Sequence, residues 1–79
     1  MVHISKEIPD TIIFEDSDNE PTAFHTGSEV YIYTSQCNEY EGIISEINQE
    51  KNYIKIQLDR NSEELLYATV PVDNILELR

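Results

Sequence analysis

Few side chains of this sequence have the chemistry that catalysis or metal binding requires. Cys37 is the single cysteine, and the two histidines, His3 and His25, both precede it and lie far apart along the chain. A nucleophilic thiol needs a neighbouring base, and a metal site needs several ligands at set spacing. The two glycines cannot form a phosphate-binding loop. We therefore predict a protein that is not an enzyme, with no metal site and no cofactor.

Acidic side chains, by contrast, are abundant. The chain has 16 Asp and Glu residues against five Lys and Arg, which gives a net charge of −11. Neighbouring carboxylates can act as general acid and base, but such groupings are mostly solvated surface. A field of this sign repels phosphate backbones and anionic lipids, so we expect no membrane association and no direct nucleic-acid binding. The predicted acidic surface consists of Glu15, Asp16, Asp18, Glu20, Glu39, Glu41, Glu46 and Glu50.

Aromatic side chains offer a third kind of chemistry, the stacking of bases. The chain has five tyrosines. A base-stacking groove also carries Lys and Arg along the nucleic-acid backbone, and beyond residue 26 the cations are only Lys51, Lys55, Arg60 and Arg79. Tyrosines on strands belong more often to the core or to a protein interface. The tyrosines therefore favour a protein partner.

The first 26 residues differ from the rest of the chain. They contain Pro9, Pro21 and six acidic residues against one lysine. Prolines and like charges leave too little apolar surface to offset the entropy of ordering the chain. We predict an acidic, mostly irregular tail over 1–26, within which the apolar run 11–14 is able to dock as a short edge strand.

Residues 27–79 have the pattern of a small β domain. Short runs rich in Val, Ile and Tyr alternate with turns and predict five strands at 30–33, 39–47, 53–58, 64–70 and 75–78. Gly42 inside the second strand predicts a strong bend or the close approach of another backbone. Pro71 ends the fourth strand because proline cannot donate to a ladder. The prediction is one all-β domain, a five-stranded, strongly bent barrel of the SH3-like kind, small enough to depend on association.

Several positions of this segment resemble the Sm fold of spliceosomal and Sm-like ring proteins. The second Sm motif corresponds to 70–75, where Pro71 replaces the arginine of that family. In the family, that arginine and a loop asparagine hold an RNA base, so the resemblance implies that the usual uridine pocket is missing here. The positions that match the first motif are Val30, Ile32, Tyr40, Gly42 and Ile47, with Asn48 and Asn52 at or near its polar positions.

The stretch from Glu29-Val30 to Asn38-Glu39-Tyr40-x-Gly42 is similar to the Sm-fold Gemin subunits, of the sixth type, in the survival-of-motor-neuron complex. The resemblance implies pairing with another Sm-like protein through strand edges, in the assembly of small nuclear ribonucleoproteins for mRNA splicing. It nominates the fourth and fifth predicted strands as the interface. The nominated residues are Leu65, Leu66, Tyr67, Ala68, Val70, Ile75, Leu76 and Leu78.

Three functions remain open from the sequence. The first is a non-catalytic assembly subunit that forms a hetero-oligomer with an Sm-like protein or another subunit of an assembly complex. The second is a small acidic inhibitor, of the phage anti-defence type, that imitates DNA and occupies a cationic cleft of a nucleic-acid enzyme. The third is a conventional Sm-type ring that binds RNA. The single cysteine and the lack of a leader predict an intracellular protein, in the cytoplasm and nucleus if the source is eukaryotic.

Overall fold

Among the residues that the structure describes, eight β-strands and one 3-10 turn make up the fold. The computed structural model describes residues 1–16, 18–58 and 66–79. Both sheets are antiparallel: a three-stranded sheet in the order β1-β2-β3 and a five-stranded sheet in the order β7-β6-β5-β4-β8. The elements are β1 (Val2–Ile4), β2 (Thr11–Asp16), β3 (Asn19–His25), β4 (Glu29–Thr34), β5 (Glu39–Asn48), β6 (Tyr53–Leu58), β7 (Tyr67–Pro71), the 3-10 turn η1 (Val72–Asn74) and β8 (Ile75–Leu78).

The prediction of an all-β protein is confirmed, but the predicted barrel is not closed. In the five-stranded sheet, β7 pairs with β6 and β8 pairs with β4, so these two strands lie at the opposite ends of the strand order. No pairing joins them within the described ranges. Sequence alternation identifies which residues face inward, but closure depends on how far the sheet curls, which alternation does not encode. The architecture is an open sheet whose two end strands are β7 and β8.

The strands of the five-stranded sheet form because apolar side chains recur at every second position. Val30 and Ile32 of β4 and Ile54 and Ile56 of β6 all face the core, and Ile32, Ile54 and Ile56 are fully buried. The tyrosines of β4 occupy the alternate positions and point away from that core. The strands predicted at 30–33, 39–47, 53–58 and 75–78 are confirmed with small changes at their ends. The fourth begins at Tyr67 among described residues, and the predicted positions 64 and 65 lie outside them.

Gly42 of β5 lies opposite Leu58 of β6. A Cβ atom at this position would overlap the backbone carbonyl of Gln57. The register of β5 against β6 also shifts between Ile44 and Glu46, which is the signature of a β-bulge. Of the two explanations that the sequence offers for this glycine, the close approach of another backbone is present at Gly42 itself, and the irregularity of the strand follows after Ile44.

The prediction of an irregular N-terminal tail is wrong for the described residues. Three strands, Val2–Ile4, Thr11–Asp16 and Asn19–His25, form a sheet whose core-facing side carries the buried Val2, Ile4 and Ile12. The six acidic residues did not prevent this because all of them are exposed: two lie between β1 and β2, and four lie at the end of the β2–β3 hairpin. Pro21 is tolerated because β3 is an edge strand of its sheet. The number of acidic residues is therefore a poor guide to order in this segment. What matters for strand formation is that the carboxylates are exposed and leave the core-facing side of the sheet apolar.

The two sheets share one hydrophobic core. Val2, Ile4 and Ile12 from the first sheet belong to the same buried cluster as Ile75 and Leu78 of β8. Strand β1 lies against η1 and β8. The first 26 residues therefore cover part of the five-stranded sheet and contribute apolar surface to its core. Among residues 1–16, 18–58 and 66–79, no helix is long and apolar enough to cross a membrane.

Candidate protein interface

The first edge of the five-stranded sheet is β7, where four of the nominated residues lie in or next to the strand. Tyr67 and Leu66 are 49% and 37% exposed, while Ala68 is half-buried and Val70 is buried. Tyr67 faces outward and Ala68 and Val70 face the core, as alternation along a strand requires. The fifth nominated residue of this edge, Leu65, lies outside the described residues. The nominated edge thus presents Leu66 and Tyr67 to solvent.

The backbone of β7 has donors on its open side. The Leu58 N–H donates to the Leu66 carbonyl at 2.8 Å. Because hydrogen-bonded and non-bonded pairs alternate along an antiparallel ladder, the N–H groups of Tyr67 and Thr69 point away from β6. Pro71, two residues further along, lacks an N–H at the next outward position. The open edge of β7 therefore offers two outward N–H donors followed by a proline.

The second edge, β8, is irregular. Tyr33 pairs with Glu77 and Thr34 with Ile75, so β8 uses two steps where β4 uses one. Leu76 is the extra residue of this bulge, and it is 56% exposed, whereas Ile75 and Leu78 are buried in the core. Of the three residues nominated on β8, only Leu76 is available to a partner. Sequence alternation gave no sign of the bulge, because an inserted residue looks like any other position in an apolar run.

The outer face of the five-stranded sheet carries most of the tyrosines. The register places them on the side of the sheet opposite the core, while Tyr40 pairs with the buried Ile32 and packs against the core. Ile43 lies on the same outer face and is 38% exposed. The outward tyrosines are Tyr31, Tyr33, Tyr53 and Tyr67. Their position fits the prediction of interface tyrosines and excludes four of the five from the core.

Tyr31 is the centre of a polar cluster on this outer face. Its hydroxyl donates to Glu39 Oε1 at 2.6 Å. The guanidinium carbon of Arg79 lies 4.8 Å from the centroid of the Tyr31 ring, and Arg79 Nε is 3.6 Å from Glu77 Oε1. The hydrogen bond to Glu39, together with burial and the charge of that carboxylate, raises the pKa of Tyr31. A cation over the ring and carboxylates around it make this a site with affinity for guanidinium groups.

Tyr33 lies beside the turn that joins β4 and β5. A side-chain hydrogen bond with Cys37, followed by the negative charge of its thiolate form, raises the pKa of Tyr33. Cys37 is exposed and has a φ of 63°, a left-handed conformation within this tight turn. A thiol becomes a nucleophile when a neighbouring base deprotonates it, and the neighbour that the structure gives Cys37 is the Tyr33 phenol. Across the part of the chain that the structure describes, no group of three or more His, Cys, Asp or Glu has a metal-binding arrangement.

The predicted acidic surface is exposed throughout, but it occupies two places. Four members lie at the end of the β2–β3 hairpin and four lie on β5 or in the turn after it. Glu39 accepts from Tyr31, and Glu46 accepts from the Tyr53 hydroxyl at 3.1 Å. Among described residues, the ion pair that the structure gives is Glu77 with Arg79. Two of the β5 carboxylates, Glu39 and Glu46, therefore accept hydrogen bonds from tyrosines.

Asn52, one of the polar residues singled out in the sequence, makes hydrogen bonds within the chain. Asn52 has a φ of 57°, and its Nδ2 donates to Asp73 Oδ1 at 3.2 Å. Its carbonyl accepts from the Val72 N–H at 3.0 Å. These bonds tie the β5–β6 turn to η1. One donor of the Asn52 side-chain amide is therefore engaged within the chain.

The cluster of Tyr31, Glu77 and Arg79 was not found by sequence reasoning. Period-two alternation places Tyr31 on an outer face, but only the register against β5 and β8 brings Glu41 and Arg79 beside it. The charge-and-aromatic pattern was visible in the sequence, and the missing information was the pairing of β4 with β8, which are separated by 40 residues of chain or more. A search for known relatives gave no further guide: no protein-family model, no curated protein and no solved structure matches the chain.

Proposed function

We propose that the chain is a non-catalytic assembly subunit with an Sm-like fold, which binds another Sm-like protein by pairing strand edges during assembly of small nuclear ribonucleoproteins. One observation carries the proposal. The two strands that the resemblance nominates, β7 and β8, are the two end strands of the open sheet, and both present exposed apolar side chains. Edge pairing uses this combination, because main-chain hydrogen bonds supply affinity and the alternate side chains supply specificity.

Charge favours a different protein as the partner over a second copy. Two copies of this chain would each bring a net charge of −11 to the interface. Self-repulsion of this size opposes association, whereas a neutral or basic partner meets no such barrier. The proposed assembly is therefore a hetero-oligomer inside the cell, and the exposed Leu66, Tyr67 and Leu76 are its apolar contacts. The hydrogen bond between the exposed side chains of Asn52 and Asp73 engages the Asn52 amide within the chain, which supports a role without direct RNA binding.

Affinity capture of the tagged chain from native extract, with elution in a salt gradient and identification by mass spectrometry, tests the proposal. The critical variant is Tyr67→Pro, which deletes an outward N–H without removing a β6–β7 hydrogen bond. We expect recovery of salt-resistant Sm-like partners to fall at least tenfold, about 1.4 kcal/mol, because the ring of the proline also obstructs the incoming strand. Tyr67→Ala keeps the N–H and measures the side chain alone. Asn52→Ala lies away from the edge and should leave recovery unchanged. Undiminished recovery by a folded Tyr67→Pro variant would refute edge pairing at β7.

The acidic surface supports a second candidate function, the DNA-mimicking inhibitor. All eight nominated carboxylates are exposed, which is the arrangement needed to meet a cationic cleft. In this case the captured partner would be one basic nucleic-acid enzyme, and it would leave the column at moderate salt because many charges are paired across the interface. The same salt gradient therefore separates the two functions, since strand pairing through backbone and apolar contacts resists salt.

A further inference from the structure

The outer face formed by β4, β5 and the edge strand β8 carries an alternating set of tyrosines and carboxylates. Tyr31 is flanked in register by Glu41 on β5 and Arg79 after β8. Tyr33 is flanked by Glu39 on β5 and Glu77 on β8. Each tyrosine thus lies between two charged residues on the neighbouring strands. The surroundings of the two tyrosines differ in one respect. Tyr31 has a carboxylate on one side and a cation on the other, whereas Tyr33 has carboxylates on both sides.

The contact at Tyr31 shows what this face holds. The Arg79 guanidinium lies 4.8 Å from the ring centroid, within the range of a cation–π interaction. Its distance to Glu77, 3.6 Å, is too long for a hydrogen bond. The Arg79 side chain remains 70% exposed. Arg79 therefore lies over the Tyr31 ring without a bidentate carboxylate contact. An incoming guanidinium group is able to replace it there.

From this geometry we infer that the outer face of β4, β5 and β8 docks an arginine-rich, extended segment of a protein partner. Guanidinium groups stack on the rings of Tyr31 and Tyr33, and Glu39, Glu41 and Glu77 supply the carboxylates that a guanidinium binds. The two tyrosines are two residues apart on one strand, about 6.8 Å. The same spacing separates every second side chain of an extended peptide. Arginines at alternate positions of the peptide therefore reach both tyrosine rings.

Charge complementarity selects this occupant. The chain carries −11, and the carboxylates of this face are matched by a single nearby cation among the described residues. A second copy of the chain would bring like charge, and a nucleic acid would bring phosphates. Lysine satisfies the charge but not the planar stacking on a ring, so arginine is preferred. The inference does not depend on edge pairing. Glu77 lies on the edge strand β8, but its side chain is on the outer face, whereas the apolar edge contacts of the assembly proposal are Leu66, Tyr67 and Leu76.

The test uses a short fluorescent peptide in which arginine alternates with threonine, and a second peptide with lysine in place of arginine. Binding to the full chain is measured by fluorescence anisotropy at low and physiological salt. We expect the arginine peptide to bind more tightly than the lysine peptide. Tyr31→Ala should weaken it about two- to fivefold, the equivalent of one exposed cation–π contact. Tyr31→Phe keeps the ring and should retain most of the affinity.

The decisive variant is Arg79→Ala, which removes the chain's own guanidinium group from the Tyr31 ring. We expect it to bind the arginine peptide about two- to fivefold more tightly than the parent chain. Lys51→Ala removes the same charge from the exposed β5–β6 turn and is the matched control, with a smaller gain. Equal binding of the two peptides, unchanged affinity in a folded Tyr31→Ala variant, or an Arg79→Ala effect no larger than that of Lys51→Ala would each overturn the inference. The Arg79 backbone hydrogen bonds with Tyr31 are kept in every Arg79 variant.

Discussion

Truncating Ile12 tests whether the N-terminal sheet is part of the folded core. Ile12 lies on β2, is fully buried, and belongs to the cluster that also contains β8 residues. Ile12→Ala removes buried methyl and methylene groups and leaves a cavity, which costs about 2 to 5 kcal/mol. The whole stability of 79 residues is about 4 to 12 kcal/mol. One substitution in the supposed tail should therefore remove a large fraction of the free energy of unfolding.

Urea unfolding followed by circular dichroism measures the effect. With a loss of about 3 kcal/mol and a slope of about 1.5 kcal/mol per molar urea, the midpoint should fall by about 2 M. Ile8→Ala is the matched control, since it is the same substitution in the same segment at a side chain 52% exposed, and it should change stability by no more than about 0.5 kcal/mol. Equal midpoints for the two variants would mean that residues 1–26 add nothing to the core, and the shared-core description would be refuted.

Two other predictions concern the five-stranded sheet. Gly42→Ala places a Cβ against the Gln57 carbonyl and should destabilise the fold by about 1 to 3 kcal/mol or more in the same unfolding assay. Glu41→Ala, at the adjacent exposed position, is the control and should change the free energy of unfolding by less than about 0.5 kcal/mol. Equal urea midpoints for Gly42→Ala and Glu41→Ala would contradict the close approach. The raised pKa of Tyr31 means that its contribution to stability is complete below the unfolded tyrosine pKa and is lost as the pH rises through the higher folded value. In an ultraviolet titration of the phenols, Tyr31→Phe should remove a component that ionises above the ordinary value near 10.0, and an unchanged high-pH component would show that the bond to Glu39 does not hold in solution.

The sequence was most informative where side-chain alternation alone determines structure. The inward Val30 and Ile32 and the outward tyrosines of β4 follow from a period of two, and so do the buried isoleucines of β6. Gly42 predicts either a bend or the close approach of another backbone, and the structure shows that only a residue without a Cβ fits beside the Gln57 carbonyl. These features are local, so a single stretch of sequence contains all the information that they require.

Features that depend on long-range pairing were missed. Six carboxylates predict an irregular tail, but they are exposed, four of them at the end of the β2–β3 hairpin, while Ile12 and Phe14 pack in the core. The cluster around Tyr31 requires β4 to pair with β8, and neither the register nor the bulge at Leu76 can be derived from the sequence of either strand alone. The number of strands predicts a barrel but does not fix the curvature of the sheet, which is open.

The bulge at Leu76 has a consequence for how faithfully a partner strand aligns on β8. A regular edge repeats every two residues, so a strand laid along it has several equivalent alignments and slides between them at little cost. The extra residue in β8 breaks that repeat at one point, and only one alignment places a complementary irregularity or gap opposite the protruding Leu76 side chain. The bulge in the backbone therefore fixes the register of an added strand. A partner that pairs with this edge is held at one position along β8, and every subunit added to such an edge would have the same register.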